Sequence, residues 1–185
     1  MTKMTGAEAL LHQIMTNGVD TIFGLPGGQL DHFFDAMYKQ SDNLRLYCTR
    51  HEQGAAYMAF GYARATGKVG TYAVVPGPGV LNSTAALCSA YATNSPVLCL
   101  TGQIPSEGLG KGIGYLHELP DQLATMRTLT KWADRVMSPE AAPEAVNEAF
   151  RQMLGGRPRP VSLEMPMDTM GTAAEVTGLA ASQIP

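Results

Sequence analysis

Three glycine-bearing segments hold most of the chemistry this sequence could support. Gly24-Leu25-Pro26-Gly27-Gly28 follows a short apolar run. Its glycines permit positive φ and close approach of a ligand to the backbone, and the same residues also suit a tight strand-to-helix turn. Arg50-His51-Glu52-Gln53-Gly54-Ala55-Ala56 opens a stretch that is otherwise small and apolar. Glu52 there lies near a helix N-terminus, where the helix dipole favours its anion; plain charge complementarity explains such a glutamate equally well. Pro76-Gly77-Pro78-Gly79, followed by Val80, Leu81 and Asn82, opens another helix. Free N–H groups at a helix start can cradle an anion. Two prolines remove two of those donors, so the turn better suits a close, dry approach by a flat ring.

Several familiar patterns fail on inspection. His51-Glu52-Gln53-Gly54-Ala55 has Ala55 where a zinc protease needs its second histidine, and Pro120 breaks the helix that His117-Glu118 would need. Gly77-Pro78-Gly79-Val80-Leu81-Asn82 carries Asn82 where a dinucleotide fingerprint has its third glycine. Gly110-Lys111-Gly112 lacks the Ser or Thr of a P-loop, and no nucleophile elbow occurs.

These segments need strands and helices to place them. Residues 5–17 read as an amphipathic helix, with Thr5 as cap, Glu8 at the capping-box position and Leu10, Leu11, Ile14 and Met15 as the apolar stripe. Short apolar strands follow at 19–23, 44–48, 69–75, 96–101, 132–137 and 160–164, separated by helices at 29–39, 51–66, about 80–92 and 140–154. That alternation predicts an α/β fold in three layers: a roughly six-stranded parallel sheet with helices on both faces. Ligands of such sheets bind beyond the carboxyl ends of the strands, where the three glycine-bearing segments fall. The expected domain spans 1–170, and the small, polar, non-periodic stretch 171–185 reads as a linker toward a further domain.

Composition narrows the function. A chain of 185 residues can bury one real core. A formal net charge of -3 gives no electrostatic footprint for nucleic acid or an anionic membrane surface. No signal peptide and no run long enough to span a bilayer is visible. Cys48, Cys88 and Cys99 form neither a CxxC pair nor a metal spacing, and are expected to be buried free thiols of a cytoplasmic protein.

Taken in order, the segments resemble a known family. The runs Thr5-Gly6-Ala7-Glu8-Ala9-Leu10, Gly18 to Gly28, Arg50 to Ala56 and Gly61-Tyr62-Ala63-Arg64-Ala65-Thr66-Gly67 are similar to thiamine diphosphate enzymes of the acetolactate synthase type. Gly77-Pro78-Gly79 with Asn82, Thr101-Gly102-Gln103 and Gly156-Arg157-Pro158-Arg159-Pro160-Val161 continue the likeness, which covers about residues 5–170. It implies the N-terminal, aminopyrimidine-binding domain of a 2-keto-acid carboligase or decarboxylase. The active site would form with the diphosphate-binding domain of another subunit, in a homo-oligomer. The Gly-Asp-Gly and Asn-Asn segments of that second domain are missing from this sequence, so Mg²⁺ is expected in the missing domain and the chain alone is expected to be inactive. FAD in the full enzyme stays open.

The resemblance also implies roles. Glu52 would hydrogen-bond N1′ of the aminopyrimidine and so activate the cofactor, in an apolar setting that Ala55, Ala56 and Met58 supply. Pro26, Gly27, Val75, Pro78 and Asn82 would line the pyrimidine site, and His117 would stand near the reacting carbon. A surface histidine on a mobile loop is the alternative for His117, since the loop 104–121 is glycine-rich and could order only when a partner docks. Pro76 in place of the usual Ser, and Leu116 in place of the usual Phe, leave the reaction open among decarboxylase, oxidase and carboligase. Two other readings stand: a separate subunit that pairs with a diphosphate-binding chain, and an α/β nucleotide-binding module without catalysis.

Overall fold

Apolar runs too short for helices, set between amphipathic segments, become the strands of a parallel sheet. The structure, a computed structural model, describes residues 1–184. Its elements are β1 (Thr2–Thr5), α1 (Gly6–Thr16), β2 (Thr21–Gly24), α2 (Asp31–Tyr38), β3 (Arg45–Cys48), α3 (Glu52–Thr66), β4 (Gly70–Val74), α4 (Pro78–Ala92), β5 (Val97–Gln103), α5 (Gln122–Leu129), β6 (Trp132–Arg135), α6 (Ala142–Leu154), β7 (Val161–Pro166), α7 (Met167–Gly171) and β8 (Ala173–Val176). Six strands form one sheet in the order β3-β2-β4-β5-β7-β6, and every pair in it is parallel. No helix among the described residues is long and apolar enough to cross a membrane.

The strand period of two splits the sheet into two faces. Ala73 and Val75 join Ile22, Leu98, Leu100 and Leu163 in a core covered by α1, α2 and α6. Tyr72 and Val74 point the other way, with Phe23 and Cys99, into a second core under α3 and α4. The second core is built from small residues: Ala55, Ala56, Ala59 and Ala63 form the buried stripe of α3, which lets α3 lie close to the sheet. The three-layer α/β arrangement is therefore the expected one. Thr5 caps α1 and exchanges bonds with Glu8 in a full capping box.

The C-terminal stretch differs from expectation. Residues 171–185 were expected as a linker, but Ala173–Val176 forms β8, antiparallel to β1, with Thr2 opposite Val176. Beyond it, the Gln13 amide donates to the carbonyls of Leu179 and Ala180, Asn147 donates to Ala180, and Asn17 accepts from the Ser182 amide. Gln13 and Asn147 are buried and bonded to each other at 2.9 Å. Side-chain amides can satisfy an irregular backbone as a strand neighbour would, so a segment without periodicity is nonetheless bound.

The cysteines also need correction, since Cys48 and Cys88 are exposed and only Cys99 is buried. Cys48 ends the outer strand β3, whose four residues are all exposed, and Cys88 lies on the outward side of α4. Burial pushes the Cys99 thiol up to about 11, which suppresses its thiolate. In the native chain, Ellman's reagent is expected to modify Cys48 readily and Cys99 only after denaturation. Rapid modification of Cys99 without denaturant contradicts this packing.

Candidate functional site

The strand order places a reversal beside β2. From β2 the chain steps outward to β3, then returns to the other side of β2 as β4. The loops after β2 and β4 therefore diverge, and a crevice opens between them. Gly27 stands on one side of it and Val75 to Gly79 on the other. A Cβ built on Gly27 would come within 2.5 Å of Val75 Cγ1, and one on Gly79 within 2.6 Å of Val75 Cγ2. Both glycines thus make room for one valine side chain. Close approach is required here by packing, before any ligand is considered.

The turn after β4 is tightly specified. The Gly79 amide donates to the Pro76 carbonyl at 3.3 Å, and Gly77 has φ 59° and ψ −117°. Those angles belong to the first central position of a type II′ turn, which is a glycine position. A side chain on Gly77 would also collide with the carbonyl oxygen of His117. Pro78 follows as the first residue of α4, where its missing N–H costs nothing.

Glu52 begins α3, and His51 caps that helix by accepting from the Gln53 amide at 3.1 Å. The Glu52 carboxylate reaches across to α4. Its Oε2 accepts a hydrogen bond from Asn82 Nδ2 at 3.0 Å. Its Oε1 lies 3.6 Å from the point where a Cβ on Gly79 would sit. Glu52, Val75, Gly79, Asn82 and Gly27 consequently meet at one place, with Ala55 and Ala56 buried beneath. Pro26 and Pro78 are the exposed neighbours of this group in the chain.

His117 comes to the same turn through its backbone. It adopts φ 70°, rare for a residue with a side chain. Its Nδ1 is buried and has no hydrogen-bond partner among the described residues. The loop around it, expected to be mobile without a partner, is tied down within this chain. Glu118 accepts from the amides of Gly114 and Tyr115, the Tyr115 hydroxyl donates to Glu107, and Gln29 donates to the Leu116 carbonyl. The Leu116 side chain stays 75% exposed.

Sequence reasoning missed a polar group behind this crevice. Gln122, at the start of α5, is buried and accepts from the Gly77 amide at 2.8 Å. Its amide nitrogen donates to the Gly102 carbonyl at 3.2 Å and to Glu164 Oε2 at 2.7 Å. Glu164 on β7 is 2% exposed and pairs with Arg135 on β6. Removing one partner of such a buried pair costs about 3–5 kcal/mol. The available signal was Glu164 itself, a lone acid inside an apolar strand.

Other clefts lie elsewhere. A groove of about 530 Å³ opens beside α1 and α2, lined among others by Glu8, His12 and Lys39. No residue of the crevice lines it, and Lys39 already pairs with Glu8 and Asp35. Among the described residues, no group of three or more His, Cys, Asp or Glu side chains is placed to hold a metal ion.

Residues 4–125 match the family model described as thiamine pyrophosphate enzyme, N-terminal TPP binding domain. The chain is 40% identical over 167 residues to a probable 2-ketoarginine decarboxylase of Pseudomonas aeruginosa, covering 90% of this chain and 30% of that protein. It is 41% identical over 165 residues to a probable acetolactate synthase large subunit of Methanocaldococcus jannaschii, covering 89% of this chain and 27% of that protein. It is 39% identical over 165 residues to the acetolactate synthase isozyme 2 large subunit of Escherichia coli, covering 89% and 29%. The chain thus spans under a third of the length of these relatives.

The II′ turn yields a direct expectation. Gly77→Ala should destabilise the chain by roughly 2–3 kcal/mol, from the forced positive φ and the collision with His117. Urea unfolding measures this, and a loss under about 0.5 kcal/mol contradicts the turn geometry.

Proposed function

We propose a function from the premise that this chain belongs to the thiamine pyrophosphate enzyme family, through the N-terminal cofactor-binding domain of that family. In this proposal the crevice beside β2 and β4 receives the aminopyrimidine end of thiamine diphosphate, and Glu52 is the acid that activates it. The observation that carries the proposal is the convergence of the Glu52 carboxylate with Asn82 and the bare backbone of Gly79. The donor set suits a flat aromatic amine: one carboxylate and small apolar walls, with Val75 drawn in against the backbones of Gly27 and Gly79.

Bound thiamine diphosphate supplies the electron sink for making or breaking a carbon–carbon bond next to the carbonyl of a 2-keto acid. The chain's own residues bind and polarise. Asn82 engages one oxygen of Glu52 and fixes the carboxyl plane, leaving the other oxygen to share a proton with N1′. Val75, held between Gly27 and Gly79, walls the ring off from water, and Pro26 and Pro78 flank the entrance. His117, whose buried Nδ1 has no hydrogen-bond partner among the described residues, lies beside the same turn.

The relatives' names include a 2-ketoarginine decarboxylase and acetolactate synthases, which supports a 2-keto-acid carboligase or decarboxylase as the parent activity. The diphosphate and its Mg²⁺ need several oxygen ligands and are assigned to another subunit. A subunit that pairs with a separate diphosphate-binding chain is the second reading, and in both readings the chain alone is inactive.

Glu52→Gln in the assembled enzyme should lower kcat at least ~100-fold while the melting temperature of the chain stays unchanged. Turnover near the wild-type rate excludes Glu52 as the activating acid. Partner pairing has its own test. Tyr57, Met58 and Leu81 on the outward sides of α3 and α4 are each about 40% exposed, a surface that association would cover. Sedimentation of the chain by itself should show self-association, and a monodisperse monomer at high concentration would count against it.

A further inference from the structure

The crevice is shaped by a turn that does not hold itself. Gly77 is buried, and its N–H needs an acceptor. The acceptor is the side-chain oxygen of Gln122, 45 residues further along the chain. The orientation of this amide is dictated from both ends. Its oxygen must face the Gly77 N–H, and its nitrogen must face the Glu164 carboxylate and the Gly102 carbonyl. A flipped amide would set donor against donor and oxygen against oxygen. Glu164 is itself fixed by Arg135 and lies 3.5 Å from Gln103 Nε2. Gln103 in turn accepts from the Ile104 amide at 2.7 Å. The chain of bonds therefore runs from the sheet edge, Arg135 to Glu164 to Gln122, into the Pro76–Gly79 turn.

We propose that Gln122, oriented by the buried Glu164–Arg135 pair, is a positioning residue that sets the II′ turn and the start of α4, and so holds Gly79 and Asn82 in register with Glu52. This inference rests on the assignment of Glu52 as the activating acid. Asn82 lies four residues after Pro78, so a small tilt of the first turn of α4 moves its Nδ2 relative to the carboxylate it engages at 3.0 Å. Misplacement on the order of an ångström costs up to about 100-fold in a positioned reaction. Glu52 meets α4 at Asn82, whereas Gln122 meets the turn at the Gly77 amide. Its loss should therefore alter placement of the acid and leave substrate contacts alone.

The test uses the enzyme assembled from this chain and its diphosphate-binding partner, with thiamine diphosphate, Mg²⁺ and a 2-keto acid that the wild type consumes. Gln122→Met keeps the side-chain length and removes both the acceptor and the donor. It should lower kcat, and in parallel the deuterium exchange at the reactive carbon of bound cofactor, by about tenfold or more, while KM for the keto acid changes less than about threefold. A purely structural role would lower the folded fraction and leave exchange per bound cofactor unchanged. Exchange within about twofold of wild type in cofactor-saturated Gln122→Met overturns the inference. Should that variant not assemble, the wild-type chain still decides: the Gly77 amide should be strongly protected from hydrogen exchange, and exchange at the rate of an open loop overturns the inference equally. Glu52→Gln separates the two levels. Normal cofactor exchange in Glu52→Gln defeats the assignment of Glu52. Slow exchange there with normal exchange in Gln122→Met defeats only the role of Gln122.

Discussion

A parallel sheet that builds outward from β2 in both directions must leave a gap where the two directions part. Here the gap lies beyond Gly24 and Val74, between the loop carrying Gly27 and the loop carrying Gly77. The two loops are kept from drifting apart by Val75, whose branched side chain fills the space that side chains on Gly27 and Gly79 would take. That packing sets how far apart the two rims stand, and so where α4 comes beside α3 and Asn82 meets the Glu52 carboxylate.

Two kinds of support surround this gap. The apolar support is the alanine stripe of α3, which lets the helix carrying Glu52 lie close to the sheet. The polar support is the group made by Gln122, Glu164, Arg135 and Gln103, buried at the carboxyl ends of β5, β6 and β7. An ion pair in this position contributes little net stability compared with apolar packing of the same volume. Its worth lies in direction, because a carboxylate fixed on one side orients the Gln122 amide on the other. The tied loop from Ile104 to Asp121 completes the rim, and the exposed Leu116 side chain stands free on it.

Much of this was legible in the sequence, for identifiable reasons. The capping box at Thr5 and Glu8, the strand and helix alternation, and the glycine-bearing turns are local patterns read within a few residues. Glu52 and Asn82 could be placed beside strand-end turns from the sequence, whereas their meeting across α3 and α4 is visible only in the fold. Gln122 was not legible. Its partners Gly77 and Glu164 lie 45 and 42 residues away, and nothing in the local sequence marks a buried amide. Strands β1 and β8 escaped for a similar reason: both are short, and they pair only with each other, from opposite ends of the chain. The cysteines misled because burial was inferred from apolar neighbours in sequence, whereas β3 is an outer strand and α4 turns Cys88 outward.

In the proposed function this chain holds the aminopyrimidine ring and Glu52 meets it. A crystal structure of the chain assembled with its diphosphate-binding partner and thiamine diphosphate tests that directly. The expected result is N1′ within about 3 Å of a Glu52 carboxylate oxygen, with the ring lying against Val75. A ring bound elsewhere, or N1′ facing a group other than Glu52, would contradict it.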